Sequence, residues 1–345
     1  MLHPPTSTPP AVWRILDANF DRAREGLRII EEWCRFALND VAMANECKQM
    51  RQDLGMWHTP EIRAARDTAG DVGTALTHPR EEQRTGIELL LQANLCRVQE
   101  ALRVLEEYSK LYSSSMSSGC KQMRYRVYTL ESNLLAYRRR QLLTTARLYL
   151  VTAPAPDLLS RVEAALQGGL TLVQYRDKES NDVDRLTTAK QMCELCHKYG
   201  ALFILNDRVD IALAVNADGV HLGQQDIPVA LARQILGSQR IVGRSTTSPE
   251  EMALALAEGA DYIGVGPVYE TPTKAGKAAA GLEYVQYAVK NSTVPWFAIG
   301  GIDNNNISDV LQAGAPGVAI VRAIMAAENP THAVQHYLSV LNRVR

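Results

Sequence analysis

Hydrophobic spacing divides the chain into two textures. From Ile15 to Leu38 the apolar positions Phe20, Ala23, Leu27, Ile30 and Cys34 step by three and four, the period of one buried helix face. Related text returns offset by 75 positions, as from Leu16 to Leu91. Leu16-Asp17-Ala18-Asn19 is answered by Leu91-Gln92-Ala93-Asn94, and Arg22, Glu25, Arg28, Glu31 and Glu32 by Arg97, Glu100, Arg103, Glu106 and Glu107. Cys47-Lys48-Gln49-Met50-Arg51 likewise recurs as Cys120-Lys121-Gln122-Met123-Arg124. A match over two separated blocks is an internal duplication. Each copy reads as a helix pair, so residues 11–140 are expected to form an antiparallel bundle of four or more helices.

From Arg147 the period changes. Short apolar runs at Leu148–Thr152, Thr171–Arg176, Leu202–Asn206, Gly219–Leu222, Ile241–Ser245, Tyr262–Val265, Trp296–Ile299 and Gly317–Val321 alternate with amphipathic segments, the reading of parallel β/α units. Eight runs in about 200 residues fit a compact barrel, with a doubly wound open sheet as the alternative. The expected class is α/β: a (β/α)8 TIM barrel over residues 144–345, preceded by an all-α duplicated helical bundle over residues 1–143, with the boundary near Leu143.

Between the two copies lies Arg66-Asp67-Thr68-Ala69-Gly70-Asp71-Val72-Gly73-Thr74, whose Asp and Gly residues favour turns over a ligand site. The repeated Arg and Glu can pair along their own helices at i,i+3 or i,i+4. Ser113 to Gly119 reads as a flexible connection. Arg138-Arg139-Arg140 closes the bundle, where cations suit a helix C-terminus.

A length of 345 residues agrees with two domains. Lys plus Arg (37) nearly balances Asp plus Glu (38), so no global field points to nucleic acid or an anionic membrane, and any anion site must be local. Six scattered cysteines and a Pro-rich start without an apolar signal core point to reducing cytoplasm. No window approaches the roughly 18 apolar residues of a membrane span. Cys193 and Cys196 lack a second ligand pair, which argues against a metal or redox centre, and neither a Ser/His/Asp arrangement nor a P-loop stands out.

Chemistry collects where barrel strands end. Alternation places Gln174, Arg176 and Lys178 on one side of the second run and Tyr175 and Asp177 on the other. Converging cations there suit a phosphate or pyrophosphate, although solvated loop residues would read the same way. Further strand ends carry Asn206-Asp207-Arg208, His221-Leu222-Gly223-Gln224-Gln225-Asp226, Gly243-Arg244-Ser245, Thr271-Pro272-Thr273-Lys274, Gly300-Gly301 and Val321-Arg322. Asp207 and Asp226 on neighbouring strands make an oxygen site suited to Mg²⁺, unless each merely caps the following helix. His221 has no visible partner and reads as a hydrogen-bonded structural histidine. Glycines at 300 and 301 would let backbone N–H groups approach a phosphate.

In this order, the QxRxK block, the Asn-Asp pair, the HxGQxD block, Gly-x-Ser, Thr-x-Thr-Lys and Gly-Gly make residues 147–345 resemble the thiamine phosphate synthase family along their whole length. The resemblance implies a transferase joining 4-amino-2-methyl-5-hydroxymethylpyrimidine pyrophosphate to 4-methyl-5-(β-hydroxyethyl)thiazole phosphate, with release of pyrophosphate. It implies that Gln174, Tyr175, Arg176, Asp177, Lys178, Asn206, Ser245 and Lys274 hold the pyrimidine pyrophosphate and that Asp207 and Asp226 hold Mg²⁺. Thr271, Pro272, Thr273, Gly301, Val321 and Arg322 would hold the thiazole phosphate, with Arg176 and Lys274 as the catalytic cations. Many single-domain members carry serine where Arg322 stands. The helical domain is similar to an extension of longer, cyanobacterial-type synthases, and a homo-oligomer through it is expected.

Two other readings compete. A thiazole tautomerase of the same barrel family would have no use for Asp207, Asp226 and Thr271 to Lys274 together, and a sensor with a degenerate barrel should have lost members of the set. Residues 266–281, rich in Gly, Ala and Lys around Thr271 to Lys274, have the composition of a mobile lid.

Overall fold

A computed structural model describes residues 9–72, 86–271 and 278–343. The chain falls into two compact units, Met1–Leu134 and Leu135–Arg345. Among the described residues no helix is long and apolar enough to cross a membrane.

The first unit is helical: α1 (Pro10–Phe36), α2 (Val41–Trp57), α3 (Pro60–Ala64), α4 (Ile87–Ser109) and the beginning of α5 (Ser114–Thr145). Pro10 opens α1, where a missing N–H costs nothing. The stripe Leu16, Phe20, Ala23, Leu27, Ile30 and Cys34 is fully buried. Helices α1 and α4 pack on each other, closely enough that a Cβ on Gly26 would stand 2.6 Å from Val98 Cγ2.

The duplication is visible in the bonds. Asn19 Nδ2 donates to Ile15 O at 2.8 Å, and its counterpart Asn94 Nδ2 donates to Leu90 O at 2.8 Å. Arg28–Glu32 and Arg103–Glu107 pair along their helices as expected. Glu31 and Glu106, however, are buried and are met from the next helix, Glu31 by Arg51 and Glu106 by Arg124 at 3.0 Å. The two arginines end the repeated Cys-Lys-Gln-Met-Arg blocks, so the second repeat exists partly to answer the first. A buried carboxylate without such a partner is strongly destabilising.

Asp17, whose counterpart is Gln92, is specific to the first copy. It is buried, accepts from Arg66 Nε at 2.9 Å and meets His58 Nε2 at 2.8 Å. Burial opposes its ionisation, but Arg66 and His58 outweigh burial and hold its pKa below the ordinary range. Arg66 thereby anchors the Asp/Gly loop, and Asp67 turns it by accepting from Gly70 N at 2.8 Å. Gly73 and Thr74 lie outside the described residues.

Ser114 to Gly119 are not a linker; they form the first turns of α5. Ser113 Oγ accepts from Met116 N at 3.3 Å, the work of a helix cap. Ser117 Oγ donates to Glu106 O at 2.8 Å. At Gly119 a Cβ would meet the Trp57 ring at 2.0 Å, so glycine here serves packing.

The second unit is a closed barrel in sequence order, all neighbours parallel. It runs β1 (Leu148–Val151), α6 (Leu158–Gln167), β2 (Leu172–Tyr175), α7 (Asp182–Lys198), β3 (Leu202–Asn206), α8 (Val209–Ala214) and β4 (Gly219–Leu222). It continues with α9 (Val229–Leu236), β5 (Ile241–Thr246), α10 (Pro249–Ala257), β6 (Tyr262–Val265), α11 (Gly281–Asn291), β7 (Trp296–Ile299), α12 (Ile307–Gln312), β8 (Val318–Ile320), α13 (Arg322–Met325) and α14 (Pro330–Arg343). All eight apolar runs are strands, and the open-sheet alternative is excluded by the β1–β8 pairing.

Inward residues Tyr149, Leu172, Leu202, Ile204, Tyr262 and Phe297 form one core, and the last turn of α5 adds Leu143 to it. Outward residues and the surrounding helices form the other. The basic triplet lies within α5, which runs on to Thr145, and its middle member is buried while Arg140 is exposed. Arg139 is 5% exposed and donates through Nε to Asp218 Oδ1 at 2.8 Å. Asp218, just before β4, also accepts from Phe203 N and meets His197 Nε2, each at 2.9 Å. Burial would raise the Asp218 pKa, but His197, the Phe203 N–H and Arg139 together hold it below the ordinary range.

Asp218, then Cys193, raise the His197 pKa from 6.5 to about 10. The His197–Asp218 contribution to stability is therefore complete below pH 6.5 and is lost as pH rises toward 10. In thermal melts the gap between the native chain and His197→Gln should be widest at or below pH 6.5 and close toward pH 10; a gap that grows with pH would contradict the assignment.

Candidate functional site

A cavity of about 340 Å³ opens among the strand ends, within the size range of small-molecule sites. Gln174 and Arg176 reach it from β2 because both have inward parity. The end of β2 is held to β1 by Thr152: its N–H donates to Gln174 O at 2.9 Å, and its Oγ1 accepts from Arg176 N at 3.0 Å. Val151, Phe297, Ile299 and Val321 supply apolar wall.

Tyr175 and Asp177, expected among the substrate contacts, do not line the cavity. Tyr175 is buried in the outer core, and its hydroxyl donates to Asp177 Oδ2 at 3.1 Å. The Asp177 carboxylate also accepts from Glu179 N, Ser180 N and Ser180 Oγ. Burial opposes its ionisation, yet these donors bring its pKa down to about 2. It builds the β2–α7 turn.

Asn206 lines the cavity from β3. The next residue, Asp207, has φ 61°, a left-handed conformation that is uncommon outside glycine. Its N–H donates to His221 O at 2.9 Å, and its carboxylate meets Lys178 Nζ at 3.1 Å. Asp226 Oδ2 accepts from Gly223 N at 2.6 Å, which closes the turn after β4, so neither aspartate caps a helix. Burial, then the adjoining Asp207 carboxyl, push the Asp226 pKa above the ordinary carboxylate range. Asp207, Asp226 and Lys178 stand beside the cavity wall rather than on it. Among the described residues no cluster of three or more His, Cys, Asp or Glu side chains could hold a metal.

Ser245 and His221 both line the cavity and meet at 2.8 Å, from Nε2 to Oγ. His221 is hydrogen-bonded as expected, and its place on the wall is additional. Gly300 and Gly301 have φ 104° and 66°. A Cβ on Gly301 would stand 2.8 Å from Tyr269 Cβ, so the loop after β6 enforces these glycines by close approach. Thr271, Gly301, Val321 and Arg322 all reach the cavity. Strand β8 stops at Ile320, and Arg322 opens α13 instead of continuing the strand. Pro272, Thr273 and Lys274 lie outside the described residues, as does the rest of the expected lid through Lys277.

No hydrogen bond or ion pair engages the guanidinium of Arg176 or of Arg322 among the described residues. Tyr149, Tyr262 and Thr152 escaped the sequence reading, although inward parity marks both tyrosines as interior.

The chain matches the family described as thiamine monophosphate synthase over residues 148–324 and the ThiD2 family over residues 14–133. A thiamine-phosphate synthase of Nostoc punctiforme is 68% identical over 334 residues, covering 97% of this chain and 95% of the relative. One from Gloeobacter violaceus is 52% identical over 332 residues, covering 96% and 97%. The solved thiamine phosphate pyrophosphorylase of Pyrococcus furiosus aligns with a TM-score of 0.55 at 36% identity, covering 59% of this chain and 98% of its own.

Gly243 lets Tyr262 cross the barrel: a Cβ there would lie 2.2 Å from the ring carbons Cε1 and Cζ. Gly243→Ala should cost about 1–3 kcal/mol by overpacking, read from denaturant unfolding. Unchanged stability would mean that the ring has room to move.

Proposed function

Because the chain belongs to the thiamine monophosphate synthase family, transferases that make thiamine phosphate by condensation, we propose that the barrel cavity joins 4-amino-2-methyl-5-hydroxymethylpyrimidine pyrophosphate to 4-methyl-5-(β-hydroxyethyl)thiazole phosphate. The observation that carries the choice of anionic substrates is the pair of cavity-lining guanidinium groups, Arg176 and Arg322, that meet no carboxylate among the described residues. Such charge is stabilised when a phosphate supplies the missing acceptors.

Gln174, Arg176, Lys178, Asn206, Ser245 and Lys274 take the pyrimidine pyrophosphate in this reading. Thr271, Pro272, Thr273, Gly301, Val321 and Arg322 take the thiazole phosphate. The carbon–oxygen bond at the pyrimidine methylene breaks, and its electron pair leaves with pyrophosphate. The resulting cation is stabilised by the amino-pyrimidine ring, and the lone pair of the thiazole nitrogen forms the new carbon–nitrogen bond. No strong base is needed. The chain aligns two rings and stabilises the departing charge through Arg176 and Lys274. Val151, Phe297 and Ile299 keep water from capturing the cation.

Asp207 and Asp226 fit Mg²⁺: they are hard oxygen donors, and burial, then the neighbouring Asp207, raise Asp226 in a way that a cation would relieve. When bound, the ion neutralises charge on pyrophosphate. Six free cysteines support a reducing, cytoplasmic setting.

Given both substrates, the purified chain should release pyrophosphate and form thiamine phosphate, lose both with a chelator and regain both with added Mg²⁺. Undiminished release in chelator would remove the metal from the reaction, and no release from intact substrates would remove the reaction itself. Arg176→Ala and Lys274→Ala should each lower kcat by about a hundredfold, with much smaller changes in KM for the thiazole phosphate. Equal losses in both constants would instead assign these cations to binding.

A further inference from the structure

Beneath the cavity, side chains from five strands form one unbroken line of hydrogen bonds. Gln174 Nε2 donates to Tyr149 Oη at 2.6 Å. Tyr149 Oη meets Tyr262 Oη at 2.7 Å, Tyr262 Oη meets His221 Nδ1 at 2.9 Å, and His221 Nε2 meets Ser245 Oγ at 2.8 Å. The phenols are 2% and 0% exposed. Burial raises the pKa of both above the ordinary range, so each carries one proton at neutral pH.

That proton count fixes the direction of the line. Tyr149 oxygen accepts from Gln174, so its own proton goes to Tyr262, the other partner it has among the described residues. Tyr262, already accepting, gives its proton to His221 Nδ1. An accepting Nδ1 leaves the imidazole proton on Nε2, which donates to Ser245 Oγ. The hydroxyl proton of Ser245 is then released toward the cavity. Reversing the line while Gln174 still donates would strand the Tyr149 proton in a buried place, at about 1–3 kcal/mol. An imidazolium would strand it equally.

We propose that Tyr149, Tyr262 and His221 are positioning residues, an oriented relay that makes Ser245 a hydrogen-bond donor to substrate and leaves Gln174 Oε1 free as an acceptor. Gln174 and Ser245 stand on the cavity wall, whereas Tyr262 does not reach it. The relay couples two contact residues on β2 and β5 through Tyr149 and His221, which also border the cavity, and Tyr262, which lies wholly in the core. Its catalytic consequence rests on the proposed reaction, but its orientation does not.

The orientation is read in the substrate-free full chain by ¹⁵N NMR of labelled histidine, with the His221 signals assigned by their loss in His221→Gln. His221 should be neutral with its proton on Nε2. A proton on Nδ1, which a Gln174 amide turned to accept from Tyr149 would produce, overturns the relay, and so does an imidazolium. Tyr262→Phe keeps the ring and cuts the line. It should mix the two His221 tautomers and lower kcat about tenfold while KM for the thiazole phosphate stays within about twofold. A variant whose stability alone changes, with tautomer and kcat as in the native chain, would reduce Tyr262 to packing and overturn the proposal. If the native chain makes no thiamine phosphate yet shows the Nε2–H tautomer, the relay's orientation is supported and the reaction fails by itself.

Discussion

Closure of eight parallel strands on themselves is the constraint from which the barrel's chemistry follows. A closed sheet has one inside, and each strand can send only every second side chain there. The interior is therefore filled in layers. Leu172, Leu202 and Ile241, with Leu143 from α5, fill it at the beginnings of the strands, and Tyr149, Tyr262 and Phe297 cross it further along. The same parity delivers Gln174, Arg176, Asn206 and Ser245 to the cavity. Because each layer rests on the one below, the apolar filling fixes where the tyrosines stand, and the tyrosines in turn support the polar wall.

That parity explains what could be read from the sequence and what could not. The eight strands were legible because each is a short apolar run bounded by turn residues, and buried parallel strands need little else. Gln174 and Arg176 followed from alternation, and the same rule placed Tyr175 and Asp177 on the opposite side. On that opposite side Asp177 is the acceptor that folds its own loop. Tyr149 and Tyr262 passed as ordinary strand residues. Their hydrogen bonds join strands far apart in sequence, and no local pattern announces such pairs.

The helical unit shows the same division between local and distant information. Its duplication was plain in the text, and Arg28–Glu32 obeys helix spacing. Glu106 also meets Arg103 at i,i+3 on its own helix, but Arg51 and Arg124, which answer Glu31 and Glu106 from other helices, could not be found by spacing. Ser113 to Gly119 was misread because serine and glycine serve loops and helix starts alike. What decides between them is the capping bond from Met116 N and the indole of Trp57 against Gly119.

Charge pairing links the structural and functional halves of the molecule. The buried carboxylates Asp17, Glu31, Glu106 and Asp218 each meet an arginine: Arg66, Arg51, Arg124 and Arg139 respectively. In the core of each unit, then, burial of charge is offset within the chain, as the desolvation cost requires. At the strand ends the pattern reverses. Arg176 and Arg322 line a cavity that also includes Asp303, yet neither forms an ion pair among the described residues, while Asp207 and Asp226 crowd one another beside it. Excess positive charge on the wall and excess negative charge next to it are not two errors of pairing. In the proposed reading the two imbalances belong together: a polyanion would answer the guanidinium groups and a divalent cation the carboxylates, supplying the pairing that the core achieves internally.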